Sequence, residues 1–326
     1  MKYIYIIGLF LFFIGCKNKP TNPESKEVII STKIELGKKL FFDPILSADK
    51  SISCASCHQP KFAFADNKAL SLGVNDSVGT RNTPSVMNML SRPFFFHDGR
   101  AASLEEQAIM PIENPVEMNL PFNEAISRIN ADKEYLKLFK LIYNNKPDTE
   151  NITNALAEFQ KSLESDGSAP HDIWVNDIDT TVFSISQKRG REIFLSDEFK
   201  CFECHFSPDF TGDEFRNIGL YDNVKLLDKG RFDITNDSND IGKFKTPGLR
   251  NVALTAPYMH NGMFNSLEEV IDFYSNPYDF VENPINIDTL MIEPLNLSDQ
   301  QKKDLVNFLH TLTDDNIPYR DEKLLQ

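Results

Sequence analysis

Positive charge is scarce in this chain. Lys and Arg number 34 against 48 Asp and Glu, giving a net charge of −14 and a pI near 4.9. Nucleic acid is excluded as a partner, because phosphate binding needs clustered positive charge. The acidity serves either a well-solvated surface or a docking face for a basic partner. With 14 Gly and 18 Pro the chain is not collagen-like, and 41% hydrophobic with 25% charged residues excludes a disordered one. Convincing strand alternation is also missing, so any sheet should be a small ribbon. Tryptophan occurs once, at Trp174. What remains is a 326-residue chain with material for two domains, each able to bury a core.

The N-terminus lacks the length to span a bilayer. Tyr3 to Gly15 is almost wholly apolar, but thirteen residues are too few. After the basic start Met1-Lys2 this is the layout of a secretory signal, expected over 1–15. The run ends Phe13-Ile14-Gly15-Cys16 and resembles a bacterial lipobox. Cleavage before Cys16 leaves a lipidated cysteine that anchors the chain to a membrane, with the outer membrane and the periplasm as the expected location. The alternative is an ordinary signal with an incidental Cys16. Residues 16–31, in which Lys17 to Lys26 is polar and holds two prolines, read as a tether.

Five cysteines are present, and all have a reading. Beyond Cys16 they form Cys54-Ala-Ser-Cys57-His58 and Cys201-Phe-Glu-Cys204-His205. Cys-x-x-Cys-His is the c-type haem attachment motif. Two thiols one helical turn apart add to the two vinyl groups of one porphyrin, and the adjacent His becomes the proximal iron ligand. The expectation is two covalent haem c groups. Zinc or disulfides are the alternatives, although neither requires a His after each second Cys.

The chain also repeats itself. Thr83-Pro84, Asn88, His97, Gly99 and Ser103-Leu104-Glu105-Glu106 recur as Thr246-Pro247, Asn251, His260, Gly262 and Ser266-Leu267-Glu268-Glu269, each pair 163 apart. Leu36-Gly-Lys-Lys-Leu-Phe41 before the first motif matches Arg189-Gly-Arg-Glu-Ile-Phe194 before the second. The expected fold is mainly α, as two tandem cytochrome c-type domains, 32–168 and 182–326, each around one haem. Ile152 to Leu163 reads as a helix with Leu156, Phe159 and Leu163 on one face. Asp166 to Thr181, with Gly, Pro and several Asp, reads as the boundary. Ser298 followed by Leu305, Phe308, Leu309 and Leu312 reads as an N-capped final helix.

From about Lys33 to Thr313 the chain resembles the bacterial di-haem cytochrome c peroxidase family, including its MauG-like branch. The matching stretches are Leu36–Pro44, Cys54–His58, Arg81–Ser85, Asp98-Gly-Arg100, Glu106–Ala108 and Asn114–Met118. In the second half they are Cys201–His205, Lys245–Asn251 and Leu254–His260. The resemblance implies a peroxide site at the first haem, an electron-transfer haem in the second domain, and a calcium ion between them. It places the axial ligands at His58 for the first iron and at His205 with Tyr274 for the second, Tyr274 lying fourteen residues after His260. The main branch carries Met at that position and the MauG-like branch Tyr. Tyr274 as a core side chain, with Met259 or Met263 as the ligand, is the alternative. The position 163 before Tyr274 is Pro111, which has no donor atom. The resemblance also places Glu117 as general acid–base with Gln107 orienting peroxide. Glu113 is the competing carboxylate, and a surface role for Glu117 is the alternative. Arg100 is expected on a haem propionate. Calcium is expected on Asn82, Thr255 and Pro257, against the alternative that Asn82 is a turn residue.

Two departures from the family stand out. Main-branch members carry a His in the loop after the first motif that caps the first haem, and Gln59 to Phe96 contains no His. The family's Trp before Asp-Gly-Arg is here His97. A hydrogen bond to a propionate or a backbone carbonyl is the favoured reading of His97, with a relay or ligand role as the alternatives.

Three functions remain open. The first is a peroxidase reducing hydrogen peroxide to water with electrons from a small cytochrome c or a cupredoxin. The second is a MauG-like oxidase of another protein's residues. The third is a pure electron-transfer cytochrome, which the Gln107/Glu117 pair disfavours. A second copy of the chain, in a homodimer, is kept among the candidate partners.

Overall fold

The computed structural model describes residues 30–179 and 181–320. The signal, Cys16 and most of the tether lie outside the described residues. Twelve α-helices are described: α1 (Lys33–Phe42), α2 (Cys54–Cys57), α3 (Leu104–Glu113), α4 (Phe122–Ala131), α5 (Lys133–Tyr143), α6 (Thr149–Lys161), α7 (Pro170–Val175), α8 (Ile185–Phe194), α9 (Cys201–Cys204), α10 (Phe232–Thr235), α11 (Leu267–Ser275) and α12 (Asp299–His310). The sheet is one antiparallel ribbon, β1 (Phe215–Arg216) with β2 (Phe244–Lys245), in the register Phe215 to Lys245. The chain is therefore mainly helical with little sheet.

The repeat in the sequence is a repeat of packing. α1 crosses α6 so closely that a Cβ on Gly37 would sit 1.9 Å from the Ala155 carbonyl oxygen. α8 crosses α12 in the same way, and a Cβ on Gly190 would sit 1.9 Å from the Asp304 oxygen. Glycine is required at both positions because backbone meets backbone. Beside each crossing an equivalent aromatic pair closes the core, Phe41 on Phe159 and Phe194 on Phe308, both with ring centres 5.1 Å apart. All four rings are buried.

The residues offset by 163 carry matching backbone roles. Ser103 and Ser266 cap α3 and α11 by accepting the Glu106 and Glu269 N–H groups. Asn88 and Asn251 both adopt left-handed backbone. Their side chains accept the N–H groups of Ser165 and Asp314, which pins the chain just beyond α6 and α12. The second half has a longer passage between its motif and Thr246, and this passage holds the ribbon and α10.

The final helix starts at its Ser298 cap and buries Leu305, Phe308 and Leu309. α6 buries Leu156 and Phe159 as its pattern predicts. The segment read as a boundary, Asp166 to Thr181, contains the short helix α7. Pro170 stands in its first turn, where proline starts a helix rather than breaking one. Asp172 on α7 accepts both arms of Arg250 at 2.7 and 2.9 Å, so a tertiary ion pair holds the segment.

Charged pairs join the halves. Arg81 reaches Asp98 at 2.5 Å and holds Asp228 through two bonds of 2.7 Å. Arg92 bonds Asp213 at 2.7 Å and also pairs with Asp209. The backbone adds Lys245 N to His97 O at 2.7 Å and Asn82 N to His260 O at 2.8 Å.

Candidate haem and peroxide site

Each Cys-x-x-Cys forms a single helical turn, so its thiols share one side. α2 is opened by a capping box between Ser53 and Ser56 and closed by the His58 N–H donating to Cys54 O at 2.8 Å. α9 is closed by His205 N–H on Cys201 O at 3.0 Å. None of the four cysteines is paired in a disulfide. Burial pushes Cys54 and Cys201 up to about 12 and Cys57 up to about 11.

The two imidazoles are held identically. His58 Nδ1 lies 3.0 Å from Phe64 O, and His205 Nδ1 lies 2.9 Å from Phe210 O. A carbonyl can only accept, so Nδ1 carries the proton and Nε2 keeps the lone pair for a metal. The carbonyls of Pro84 and Pro247 face the same rings, which gives the repeated Thr-Pro pairs a purpose. Burial lowers both imidazole pKa values and keeps the rings neutral. Phe64 and Phe210 present their carbonyls from left-handed backbone, with φ of 60° and 57°. A bulky residue there is strained, and finding it at both motifs ties the strain to orienting the imidazole.

Both motifs open onto one cavity of about 1030 Å³. That is large for a small-molecule pocket. Paired thiols, a neutral imidazole with its outer nitrogen fixed, and this space fit a haem at each motif. The same cavity is lined by Gln107, Glu117, Arg100, Tyr274, Asn82, Thr255 and Pro257, so every site residue read from the sequence meets there.

Glu117 is partly buried, and its carboxylate accepts Asn114 Nδ2 at 2.6 Å. Burial raises its pKa, while Asn114 and the more distant Arg100 charge oppose the rise. The Gln107 side-chain amide makes no hydrogen bond among the described residues. Glu113 is turned to a structural task, accepting the Phe122 N–H at 3.1 Å. Arg100 bonds Asp98 at 2.9 and 3.1 Å and lies 3.5 Å over the Phe96 ring.

Tyr274 comes from α11 and Pro111 from the equivalent place on α3. The Tyr274 hydroxyl makes no hydrogen bond among the described residues. Burial and the nearby Cys204 and Cys201 push its pKa upward, which a ferric ion beside it would reverse. His97 donates from Nε2 to Asn82 O at 2.9 Å, the carbonyl bond favoured by the sequence. Burial, with Arg81 and Lys245 nearby, lowers its pKa to about 4. Asn82 gives both amide hydrogens to Lys68 O and Ala69 O at 3.1 and 3.2 Å, which leaves its Oδ1 for a cation.

Sequence reasoning missed Asn114 as a partner of Glu117, although the i, i+3 spacing in Asn114-Pro-Val-Glu117 is a signal for it. It also missed the Arg81–Asp98–Asp228 bridge, whose members are too far apart in the chain to be paired by pattern.

Comparison with known proteins agrees with this geometry. Residues 31–180 match the di-haem cytochrome c peroxidase family. The chain is 37% identical over 300 residues to the methylamine utilization protein MauG of Methylorubrum extorquens, covering 91% of this chain and 80% of that one. The chain belongs to the di-haem cytochrome c peroxidase family. It is an oxidoreductase of the peroxidase type. Within the family it is 34% identical to the cytochrome c peroxidase Ccp of Escherichia coli, over 94% of this chain and 64% of that protein. A solved structure of a MauG-like protein associated with microbial copper homeostasis superposes with a TM-score of 0.78 at 30% identity, over 87% of this chain and 90% of that one. The family's cofactor is a pair of haems, for which this chain offers its two Cys-x-x-Cys-His motifs.

Proposed function

We propose that the chain reduces hydrogen peroxide to two waters at the first motif, using two protons and two electrons. A small cytochrome c or a cupredoxin delivers the electrons through the second motif. Residues 32–168 and 182–326 are read as one haem domain each, exported and anchored at Cys16. Cys54 and Cys57 would hold the first haem and Cys201 and Cys204 the second, with His58, His205 and Tyr274 on the irons. The haem, when bound, supplies the iron that binds peroxide and passes electrons to it.

The observation that carries the reading is Glu117, a partly buried carboxylate of raised pKa on the wall of the shared cavity, near Cys54 and Cys57 of the first motif. A carboxylate so placed takes the proton from one peroxide oxygen and returns it to the other, which leaves as water. Asn114 aims the carboxylate, and the Gln107 amide is available to orient peroxide. Glu117 must be ionised to accept a proton. The rate of reaction with peroxide is therefore expected to be level at higher pH and to fall as pH drops through a midpoint above that of a free glutamate. A pH-independent rate would count against it.

Steady-state peroxide turnover with reduced cytochrome c tests the activity. It should be lost in His58→Gly, and loss in His205→Gly alone would reverse the roles of the two motifs. A second reading, oxidation of residues on a protein partner, is favoured by Tyr274 and by the absence of a loop His. Negligible turnover with every small donor, alongside oxidation of a partner protein, would favour it.

Calcium at Asn82, Thr255 and Pro257 belongs to the same proposal, supported by the Asn82 Oδ1 left open to the cavity. Exhaustive chelation should lower turnover and added calcium restore it. Full activity in a calcium-free preparation would remove that site. Cys16→Ser should release the protein from the membrane fraction, and retention there would argue against the lipid anchor.

A further inference from the structure

The loop after the first motif is closed on itself and lies against Glu117. Leu72 and Val78 pair as an antiparallel bridge. The Gly73 N–H donates to Ser77 O at 2.7 Å, and the Gly79 N–H donates to Ser71 O at 2.9 Å. The foot of the loop is anchored to the haem motif. Ser71 Oγ donates to Asp66 Oδ2 at 2.6 Å, and Asp66, 2% exposed, accepts a second bond from Gln59 Nε2 at 2.9 Å. Gln59 is the residue after His58.

At the tip the loop touches the backbone of Glu117. The Val74 N–H donates to Glu117 O at 2.8 Å. A Cβ on Gly73 would lie 2.2 Å from Val116 O, 2.5 Å from Glu117 O and 2.7 Å from Glu117 Cα. All three are backbone atoms and cannot rotate away. The φ of Gly73 is −90°, open to any residue, so close approach is what demands glycine here. From the other side the Glu117 N–H donates to Asn114 O at 3.0 Å, and Asn114 also holds the carboxylate.

We propose that Gly73 and Val74 are positioning residues for Glu117, and that loop 71–79 is a fixed strap holding this carboxylate in place for the peroxide reaction. The inference rests on the role given to Glu117 above. A displacement of about 1 Å at such a group costs up to about 100-fold in rate.

The test uses the holoprotein and stopped-flow mixing with peroxide. Gly73→Ala should lower the bimolecular rate about 10- to 100-fold. It should also move the pH midpoint of that rate down towards a free glutamate, because Glu117 loses burial. The groups acting on Glu117 are Arg100 and Asn114, with Cys54 and Cys57 nearby as uncharged thioethers in the holoprotein, and none of them is altered. Hydrogen exchange across 72–78 should accelerate. In a Glu117→Gln background Gly73→Ala should change the rate by no more than about twofold, as expected for groups acting as one unit.

Equal losses in both backgrounds would overturn the inference alone. An unchanged rate in Glu117→Gln itself would overturn the Glu117 reading and this inference with it. Should Gly73→Ala fail to fold, Val74→Pro deletes the N–H donor at the first residue of a short turn and exchanges one buried apolar side chain for another. A folded Val74→Pro protein with unchanged rate and pH midpoint would sink the strap.

Discussion

Replacing Glu117 by glutamine is expected to slow the reaction of the holoprotein with hydrogen peroxide by about 100-fold or more, the scale of losing a positioned acid–base group. The amide keeps the shape of the carboxylate but cannot carry a proton from one oxygen to the other. Asn114 can still bond the substituted side chain through its amide hydrogens, so the cavity wall should hold. Haem content and the resting absorption spectrum should match the parent protein. The expected loss is therefore chemical and not structural. An unchanged bimolecular rate would return Glu117 to the status of an ordinary partly buried carboxylate satisfied by Asn114.

The second large effect is on potential. Tyr274→Met is expected to raise the reduction potential of the haem at Cys201 and Cys204 by about 0.1 V or more, within the roughly 0.8 V that axial ligands span. A phenolate is an anionic oxygen donor and favours ferric iron, whereas a thioether favours ferrous iron. Tyr274 lines the shared cavity near Cys201 and Cys204, with its hydroxyl uncommitted among the described residues. A spectroelectrochemical titration reads the change. An unchanged potential would show that Tyr274 packs beside the haem without binding it.

The di-haem family was the most legible part of this chain, because Cys-x-x-Cys-His, written twice, fixes residue type and spacing together. The repeat was legible for a related reason. Ser103 and Ser266, or Asn88 and Asn251, hold equivalent caps and turns, so their side chains cannot drift. Backbone contributions were hidden. Nothing in the letters of Phe64 or Phe210 announces a left-handed residue whose carbonyl orients an imidazole. Gly73 looks like any loop glycine until Glu117 is seen against it. α7 was hidden because its stability comes from Arg250, far along the chain, while its own Pro and Asp resemble a linker. Composition alone did not separate the two carboxylates Glu113 and Glu117. The structure distinguishes them by partner, a backbone N–H for one and the Asn114 amide for the other.

Tyr274 and the missing loop His lead to one central claim. It is that the fully oxidised holoprotein would leave the first iron open and close the second with Tyr274, and would react with peroxide without prior reduction. The loop from Gln59 to Phe96 offers no His to close the first iron, and Pro111 offers none from α3. Electron paramagnetic resonance of the resting ferric holoprotein tests this most directly. The account predicts one high-spin and one low-spin signal, with the high-spin signal lost on adding peroxide. Two low-spin signals, with peroxide reactivity appearing only after one-electron reduction, would contradict it.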